Sequence, residues 1–517
     1  MTEMDERIKE LREKKQRIKM GGGPEATERL IYQKGMLSAR ERIDEFLDPG
    51  TFVEFDMLVT HHCTHFGMEK KEIPAEGVVS GYGKIDGRLV FLYSQDFTTL
   101  GGSFGEMHGK KICKVMDMAA ATGAPVIQIC HSGGLRLQET LGPMELFGRL
   151  FYRNSIYSGV VPQISLIMGS VAGGQAYSPG LTDFILMTRN SSIYIAGPAF
   201  VKTQTGEVIT EEELGGAMMH ATQSGVCDLV AEDDRECLQR ARELISYLPS
   251  NNKEQPPVIA ATDDPLREVE GLERIVPANS RAPFDMHHVI NLVVDNGIFF
   301  EIKSLFAMNM ITGFARMNGR PVGIVANQPM YNGGTIDILA AEKAARFVRY
   351  CDAFNIPIIS LQDSPGYMIG SEEESRGIIM RGAKLLYAFA NATVPKITVI
   401  IRKAFAGSTI AQGSKYIGAD QVFAWPGAEI CSVAPDTAGS VIFKKEIEQS
   451  PDPQKRKNEL NEDYYNKFVK PYHAASLQHI DDIIEPGDTR KAIISALEML
   501  ANKVETRPWR KRGIYPL

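Results

Sequence analysis

Residues 125–134 read PVIQICHSGG, and residues 357–366 read PIISLQDSPG. Each is a proline, an aliphatic run of strand length and a glycine-bearing turn. Two glycines after a buried strand give up side-chain packing and raise the entropic cost of folding. In a single copy, Ser132-Gly133-Gly134 reads as a tight turn with positive φ. The second copy, Ser364-Pro365-Gly366, lies 232 residues further on (357 minus 125) and changes that reading.

The match runs along both halves. DGRLVFLYSQD at 86–96 corresponds to NGRPVGIVANQP at 318–329, each a turn dipeptide followed by an aliphatic strand. The segments GEMHGKKICKVMDMAAATG and DILAAEKAARFVRYCDAFN follow, both with apolar residues at helical spacing. Val161-Pro162 opens QISLIMG as Val394-Pro395 opens KITVIIR, and VAGGQAY at 171–177 corresponds to FAGSTIA at 405–411. Ordered matches at offsets of 232 to 234 mark a duplication, and internal repeats decide architecture before any local feature. Strand, helix, strand, helical excursion, strand, helix is the rhythm of right-handed βαβ units. The chain therefore reads as two α/β domains of one fold, with a boundary near 250–275, where SNNKEQPP ends the first half. Residues 1–50 and 445–517 read as mainly helical additions.

Composition narrows the function. A length of 517 residues exceeds one ordinary core, and 44% hydrophobic with 23% charged residues is usual for a globular protein. A net charge of −7 argues against nucleic-acid binding. No apolar stretch is long enough to cross a bilayer, and MTEMDERIKELREKKQRIKM is too charged for a signal peptide. Seven cysteines without paired spacing indicate free thiols in a reducing, cytoplasmic setting. HHCTH at 61–65 has zinc-ligand residue types, but adjacent side chains rarely converge on one ion, so no metal is expected.

Each half also carries small residues where a helix starts after a strand: Ala172-Gly173-Gly174 and Ala406-Gly407-Ser408. Amides at a helix start are unpaired and can hold an anionic oxygen, and glycine admits a ligand close to the backbone. Two such amides on one carbonyl oxygen form an oxyanion hole, worth about 3–4 kcal/mol per donor in the transition state. The chemistry served is enolate formation from a thioester or related carbonyl. No GxxxxGK[ST], GxGxxG after an early strand, or GxSxG is present, which speaks against P-loop, dinucleotide and hydrolase readings.

QDFTTLGGSFGEMHGKK at 95–111, HSGGLRLQE at 131–139, GSVAGGQAYSP at 169–179, LGGAMMHATQSGV at 214–226, the long run from Asp363 to Phe405 and AWPGAEI at 424–430 resemble the carboxyltransferase (β) subunits of biotin-dependent acyl-CoA carboxylases. That group includes propionyl- and methylcrotonyl-CoA carboxylase β subunits, the transcarboxylase large subunit and acyl-CoA decarboxylase α subunits. The resemblance implies two duplicated crotonase-like (ClpP/crotonase) domains with extra terminal helices. Residues 1–262 would form the acyl-CoA side and 263–517 the biotin side. It implies transfer of CO2 between carboxybiotin on a separate carrier protein and the α- or vinylogous carbon of an acyl-CoA, through a thioester enolate. It further implies biotin carboxylase and carrier partners and a homo-oligomer, commonly a hexamer. Gly173 and Gly174 would hold the thioester oxygen, with Ser132, Gly133, Gly134, Ala172 and Ile410 on the substrate. Gly407 and Ser408 would hold the ureido oxygen of biotin, with Pro365, Gly366, Tyr367 and Ala406 around it.

The chain departs from that pattern in places. His131 stands where Asp is usual, Leu135 for Ala, Ala406 for the first glycine of GGA, Ser408 for its alanine and Thr409 for the following tyrosine. Ile369 replaces a frequent proline, and Ile410 sits where propionyl-preferring members carry Asp. These changes keep the backbone amides and leave the acyl group open. No AMKM or VMKM biotinylation sequence is present, so biotin is expected on another chain. The reverse half-reaction, in a sodium-pumping decarboxylase, uses the same subunit chemistry. A non-catalytic CoA-binding scaffold and a hydratase or isomerase are the other classes, and the latter leaves the second domain unexplained.

Overall fold

In the computed structural model, which describes residues 2–516, the chain divides into two compact units, Met1–Glu254 and Gln255–Leu517. The first unit holds strands β1 (Val53–Phe55), β2 (Val78–Ile85), β3 (Arg88–Gln95), β4 (Val126–Ser132), β5 (Gln163–Ala172), β6 (Phe184–Thr188), β7 (Ser192–Tyr194) and β8 (Leu229–Ala231). They form one sheet in the order β1-β2-β3-β4-β5-β6-β8, with β7 also paired to β5. The second unit holds β9 (Phe299–Ile302), β10 (Met310–Met317), β11 (Arg320–Asn327), β12 (Ile358–Ser364), β13 (Lys396–Phe405), β14 (Gln421–Ala424), β15 (Glu429–Cys431) and β16 (Asp482–Ile483). Its order, β16-β14-β13-β12-β11-β10-β9 with β15 on β13, repeats the first sheet.

The central strands are parallel because each is followed by a crossover helix. Helix Glu106–Thr122 joins β3 to β4 and Ile338–Ala353 joins β11 to β12. β4 and β12 are buried along their whole length, which is why they read as unbroken aliphatic runs. The edges are antiparallel hairpins, β2–β3 and β10–β11, whose first strands the repeat matching did not include. Their signal was nonetheless in the turn dipeptides. Asp86-Gly87 (φ 49° and 77°) and Asn318-Gly319 (φ 51° and 75°) take the doubly left-handed geometry of a two-residue hairpin turn.

The duplication extends to buried amines. Lys111 Nζ donates to the carbonyls of Ala75 and Val78 at 2.7 and 2.6 Å, and Lys343 Nζ, 232 residues on, donates to those of Lys303 and Phe306, both at 2.8 Å. Burial lowers the two pKa values to about 8 and about 7. Each amine ties its crossover helix to a loop with left-handed residues, Ala75 and Glu76 in one unit and Lys303 and Ala307 in the other.

At the β9 edge, His287 lies between two carboxylates, Nδ1 at 2.8 Å from Asp285 and Nε2 at 3.0 Å from Glu301. The Glu301 hydrogen bond raises its pKa above the ordinary value. The protonated cluster thus adds stability that is complete below the unfolded histidine pKa, about 6.5, and is lost as pH rises through the higher folded value. His287→Gln should lower the melting temperature more at pH 6 than at pH 8.5. An equal drop at both would show that the charge contributes nothing.

Candidate active site

The two units present the same local construction at the carboxyl ends of their central strands. In each, the pairing of the two central strands shifts register near the end, after which Ser132 faces Val171 and Ser364 faces Ala404. The next turn is closed by that serine: Gly134 N–H donates to Ser132 Oγ at 3.2 Å and Gly366 N–H to Ser364 Oγ at 3.3 Å. Both glycines have positive φ, 97° and 132°. A Cβ on Gly134 would also sit 3.0 Å from the carbonyl oxygen of Ala172, so only glycine lets the turn close over the end of β5. Gly133 and Pro365 occupy the intervening position, where Gly133 N–H donates to Gly101 O at 2.8 Å. The glycines after the strand therefore shape the turn, and their own amides are already engaged.

The helix starts beyond β5 and β13 differ from the alignment of letters by one residue. The β5–β7 and β13–β15 pairings place Ser170 opposite Lys403 in the duplication, an offset of 233. Gly173 (φ 67°) then corresponds to Ala406 (φ 51°), and Gly174 to Gly407. Matching Ala172-Gly173 with Ala406-Gly407, as the sequence invites, is therefore off by one. Ala406 holds a left-handed conformation that costs a non-glycine residue on the order of 1–3 kcal/mol, a strain placed where a strand turns into a helix. Residues 173–175 and 406–408 all lie in first turns, where no carbonyl of the helix itself can accept from their amides.

Each start is braced by an aromatic ring. A Cβ on Gly174 would lie 2.8 Å from Phe147 Cε2, and one on Gly407 would lie 3.2 Å from Tyr367 Cδ2. Tyr367 donates its hydroxyl to Gly382 O at 3.1 Å, and burial raises its pKa, so it is neutral. Ser408 is fully buried; its Oγ donates to Phe405 O at 2.7 Å, and its carbonyl accepts from Gln362 Nε2 at 2.7 Å.

The strands beneath the turns are held by opposite chemistries. In the first unit His131 is buried, stacks on Phe97 at 4.1 Å and fills the space left by Gly169, whose Cβ would fall 2.2 Å from the ring. Burial depresses its pKa well below the usual range, so the ring is neutral. In the second unit the equivalent positions are Asp363 and Arg402, a buried ion pair at 2.8 Å. Beyond the first turn Arg136 is buried against Glu76 and Glu139, both at 2.8 Å, and donates to Ser103 O.

Sequence reasoning missed a cavity of about 700 Å³ in the second unit, lined by Ala406, Gly407, Thr409 and Ile410 together with Tyr464, Phe468, His473 and His479. The last four come from the C-terminal helical addition, where aromatic residues at 464–479 carried no motif. Its apolar walls suit the thioether ring and chain of biotin, and the adjoining first-turn amides suit its ureido oxygen, so the residues fit that group. In the stretch HHCTH, His61 Nε2 lies 2.9 Å from Lys71 O. Among the described residues no three His, Cys, Asp or Glu side chains are placed to hold a metal ion.

Paired helix starts on duplicated βαβ sheets place two sets of first-turn amides that can hold a carbonyl oxygen. Residues 31–515 match the carboxyl transferase domain family, and the chain belongs to it. The propionyl-CoA carboxylase carboxyltransferase subunit of Haloferax mediterranei is 50% identical over 517 residues, 99% of this chain and 100% of that protein. The methylmalonyl-CoA decarboxylase subunit alpha of Veillonella parvula is 49% identical over 518 residues, 100% of both chains. A crystal structure of transcarboxylase 12S, described as a hexamer assembly with methylmalonyl-coenzyme A bound, superposes with a TM-score of 0.98 at 46% identity, covering 100% of this chain and 99% of that one. The fold is thus the crotonase-like duplication, and the chain is a carboxyltransferase of that family.

Proposed function

We propose that the chain is the carboxyltransferase subunit of an acyl-CoA carboxylase, with acyl-CoA on the first unit and biotin on the second. The observation that carries this is the pair of equivalent helix starts, Gly173–Gly174 and Ala406–Gly407–Ser408, one in each unit. Biotin, brought by a carrier protein, supplies the carboxyl group and the base. The chain's residues do the rest by position. The Gly173 and Gly174 amides hold the thioester oxygen as it gains charge, and those of Gly407 and Ser408 hold the ureido oxygen. The ionisable groups flanking the first turn do not serve as the base: His131 is buried and stacked, and Glu76 and Glu139 are engaged by Arg136.

Both surfaces carry matched exposed apolar residues around their turns. Leu137 and Ile369 are equivalent by the offset of 232, and both are exposed. Such rims are what a homo-oligomer would cover, which supports a hexamer with active sites shared between copies. No described helix is long and apolar enough to cross a membrane. The proposed setting is cytoplasmic, with biotin carboxylase and biotin carrier partners.

The decarboxylase direction is the second reading, favoured by the 49% identity to the Veillonella parvula subunit. Isolating the complex with its co-purifying chains decides between them. ATP-dependent carboxylation of its biotin is the expected result, and decarboxylation of an acyl-CoA without ATP overturns the carboxylase direction.

Ile410 is 40% exposed and lines the cavity. In a site shared between copies, a branched aliphatic side chain at this biotin cavity would meet the acyl end of the acyl-CoA brought by another copy, favouring apolar acyl groups and leaving a polar one unpaired. Ile410→Asp should change the ratio of kcat/KM values between acyl-CoA substrates by about 10- to 200-fold. An equal loss on every acyl-CoA would give Ile410 a purely structural role.

A further inference from the structure

The duplication that aligns Gly174 with Gly407 also aligns Tyr177 with Ile410, by the same 233 residues. Each lies three positions, one helical turn, beyond its aligned glycine, and each stays accessible, 51% for Tyr177 and 40% for Ile410. Tyr177 N–H donates to Gly174 O, so its backbone is fixed to the helix start. Its ring is fixed as well, at the end of a row of aromatics. Phe104 stacks on Phe147 at 4.1 Å, Phe147 on Phe151 at 5.8 Å, and Phe151 meets Tyr177 edge to face at 6.1 Å. The row is anchored at the glycine turn, where Phe104 N–H donates to Gly134 O at 2.8 Å. Phe147 is also the ring against Gly174. One aromatic series thus connects the turn, the amide-bearing helix start and an exposed ring beside it. A large ring kept half in solvent on a rigid support is poorly explained by core packing, because the row is already buried at Phe104 and Phe147.

We propose that Tyr177 is a specificity-determining residue on the acyl-CoA side, its ring forming the wall that limits the size of the acyl group held at Gly173–Gly174. The inference rests on the assignment of acyl-CoA to the first unit. It makes two walls at equivalent places in the duplication, Tyr177 in one unit and Ile410 in the other. A pocket wall discriminates one methylene by tenfold or more.

The test uses the full-length chain with its biotin carrier, kept carboxylated by a biotin carboxylase with ATP and bicarbonate, assayed with propionyl-CoA and hexanoyl-CoA. Tyr177→Ala should raise the kcat/KM ratio of hexanoyl-CoA to propionyl-CoA by about tenfold. Tyr177→Phe keeps the ring and should leave the ratio within about threefold of the wild type. Because Tyr177 is half exposed, both variants are expected to fold, and an unchanged melting temperature for Tyr177→Phe checks the support. Equal changes on both substrates in Tyr177→Ala overturn the proposal. If the wild-type chain carboxylates neither acyl-CoA, the underlying assignment fails, and that outcome is distinct because it does not depend on Tyr177.

Discussion

Gly174→Ala should lower the rate of carboxyl transfer by about 100- to 1,000-fold, the loss typical of one oxyanion donor. The new methyl group would lie 2.8 Å from Phe147 Cε2 and 3.0 Å from Cδ2 and Cζ. Carbon atoms do not approach that closely, so either the ring or the helix start moves. The ring is held, stacked on Phe104 at 4.1 Å and against Phe151 at 5.8 Å. The backbone therefore yields, and the amides of residues 173 and 174 turn away from the oxygen they hold. This cause can be separated from a general loss of structure. Phe147→Leu shortens the obstructing side chain, so Gly174→Ala combined with Phe147→Leu should regain at least tenfold over Gly174→Ala alone. Gly407→Ala gives a graded comparison, because its Cβ would lie 3.2 Å from Tyr367 Cδ2, a contact that a shift of a few tenths of an ångström relieves. Its loss should be smaller. The measurement is the transfer rate at saturating carrier, and a near-wild-type rate for Gly174→Ala would remove that amide from the mechanism.

The duplication was legible because its punctuation is chemical. Prolines that open strands, Asp-Gly and Asn-Gly turns and glycines after strands are each set by backbone geometry, and geometry is what a duplicated fold preserves. The register at the helix starts was misread for the same reason in reverse. Ala172-Gly173 and Ala406-Gly407 share letters, but the left-handed residues are Gly173 and Ala406. An alanine at positive φ has no sequence signal, since strain of that kind persists only where the surrounding structure imposes it. The antiparallel edges were half visible, in dipeptides whose second strand was found and whose first was not. The cavity was not legible at all. Tyr464, Phe468, His473 and His479 reach it from a helical segment with ordinary amphipathic composition, and only tertiary packing brings them to Ile410. The replacement of a buried ion pair by a stacked imidazole was visible only as one departure, His131; the space at Gly169 that its ring fills carried no signal.

That replacement makes the second unit the more fragile at this point. Asp363→Ala should destabilise the second unit by about 3–5 kcal/mol, the usual cost of leaving one member of a buried pair alone. The Asp363 carboxylate is fully buried and accepts from Arg402 Nη2 at 2.8 Å and from the Lys403 backbone N–H at 3.0 Å. Lys403 Nζ lies 3.4 Å from it, so loss of the carboxylate leaves two cations held only by backbone carbonyls. Arg402 cannot shed its charge. It is nevertheless committed elsewhere, because Nη1 donates to the carbonyls of Asn279 and Ala282 at 3.0 and 2.8 Å. Those bonds fix the order of the variants. Arg402→Met strands a buried carboxylate and two carbonyls together, so it should cost at least as much as Asp363→Ala. Asp363→Leu with Arg402→Met removes both members of the pair and strands the carbonyls and the Lys403 backbone N–H, but no buried carboxylate, so it should cost less than Arg402→Met alone. Thermal and urea unfolding of the intact chain measure all three. If the double variant is the least stable, the pair is a net contributor to stability and the cost of burying its charges has been overestimated. If the expected order holds, the ion pair is retained for where it places the strand end: Asp363 precedes Ser364, whose hydroxyl closes the turn at Gly366. The first unit reaches the same turn without a charge, by stacking His131 on Phe97 over the space at Gly169.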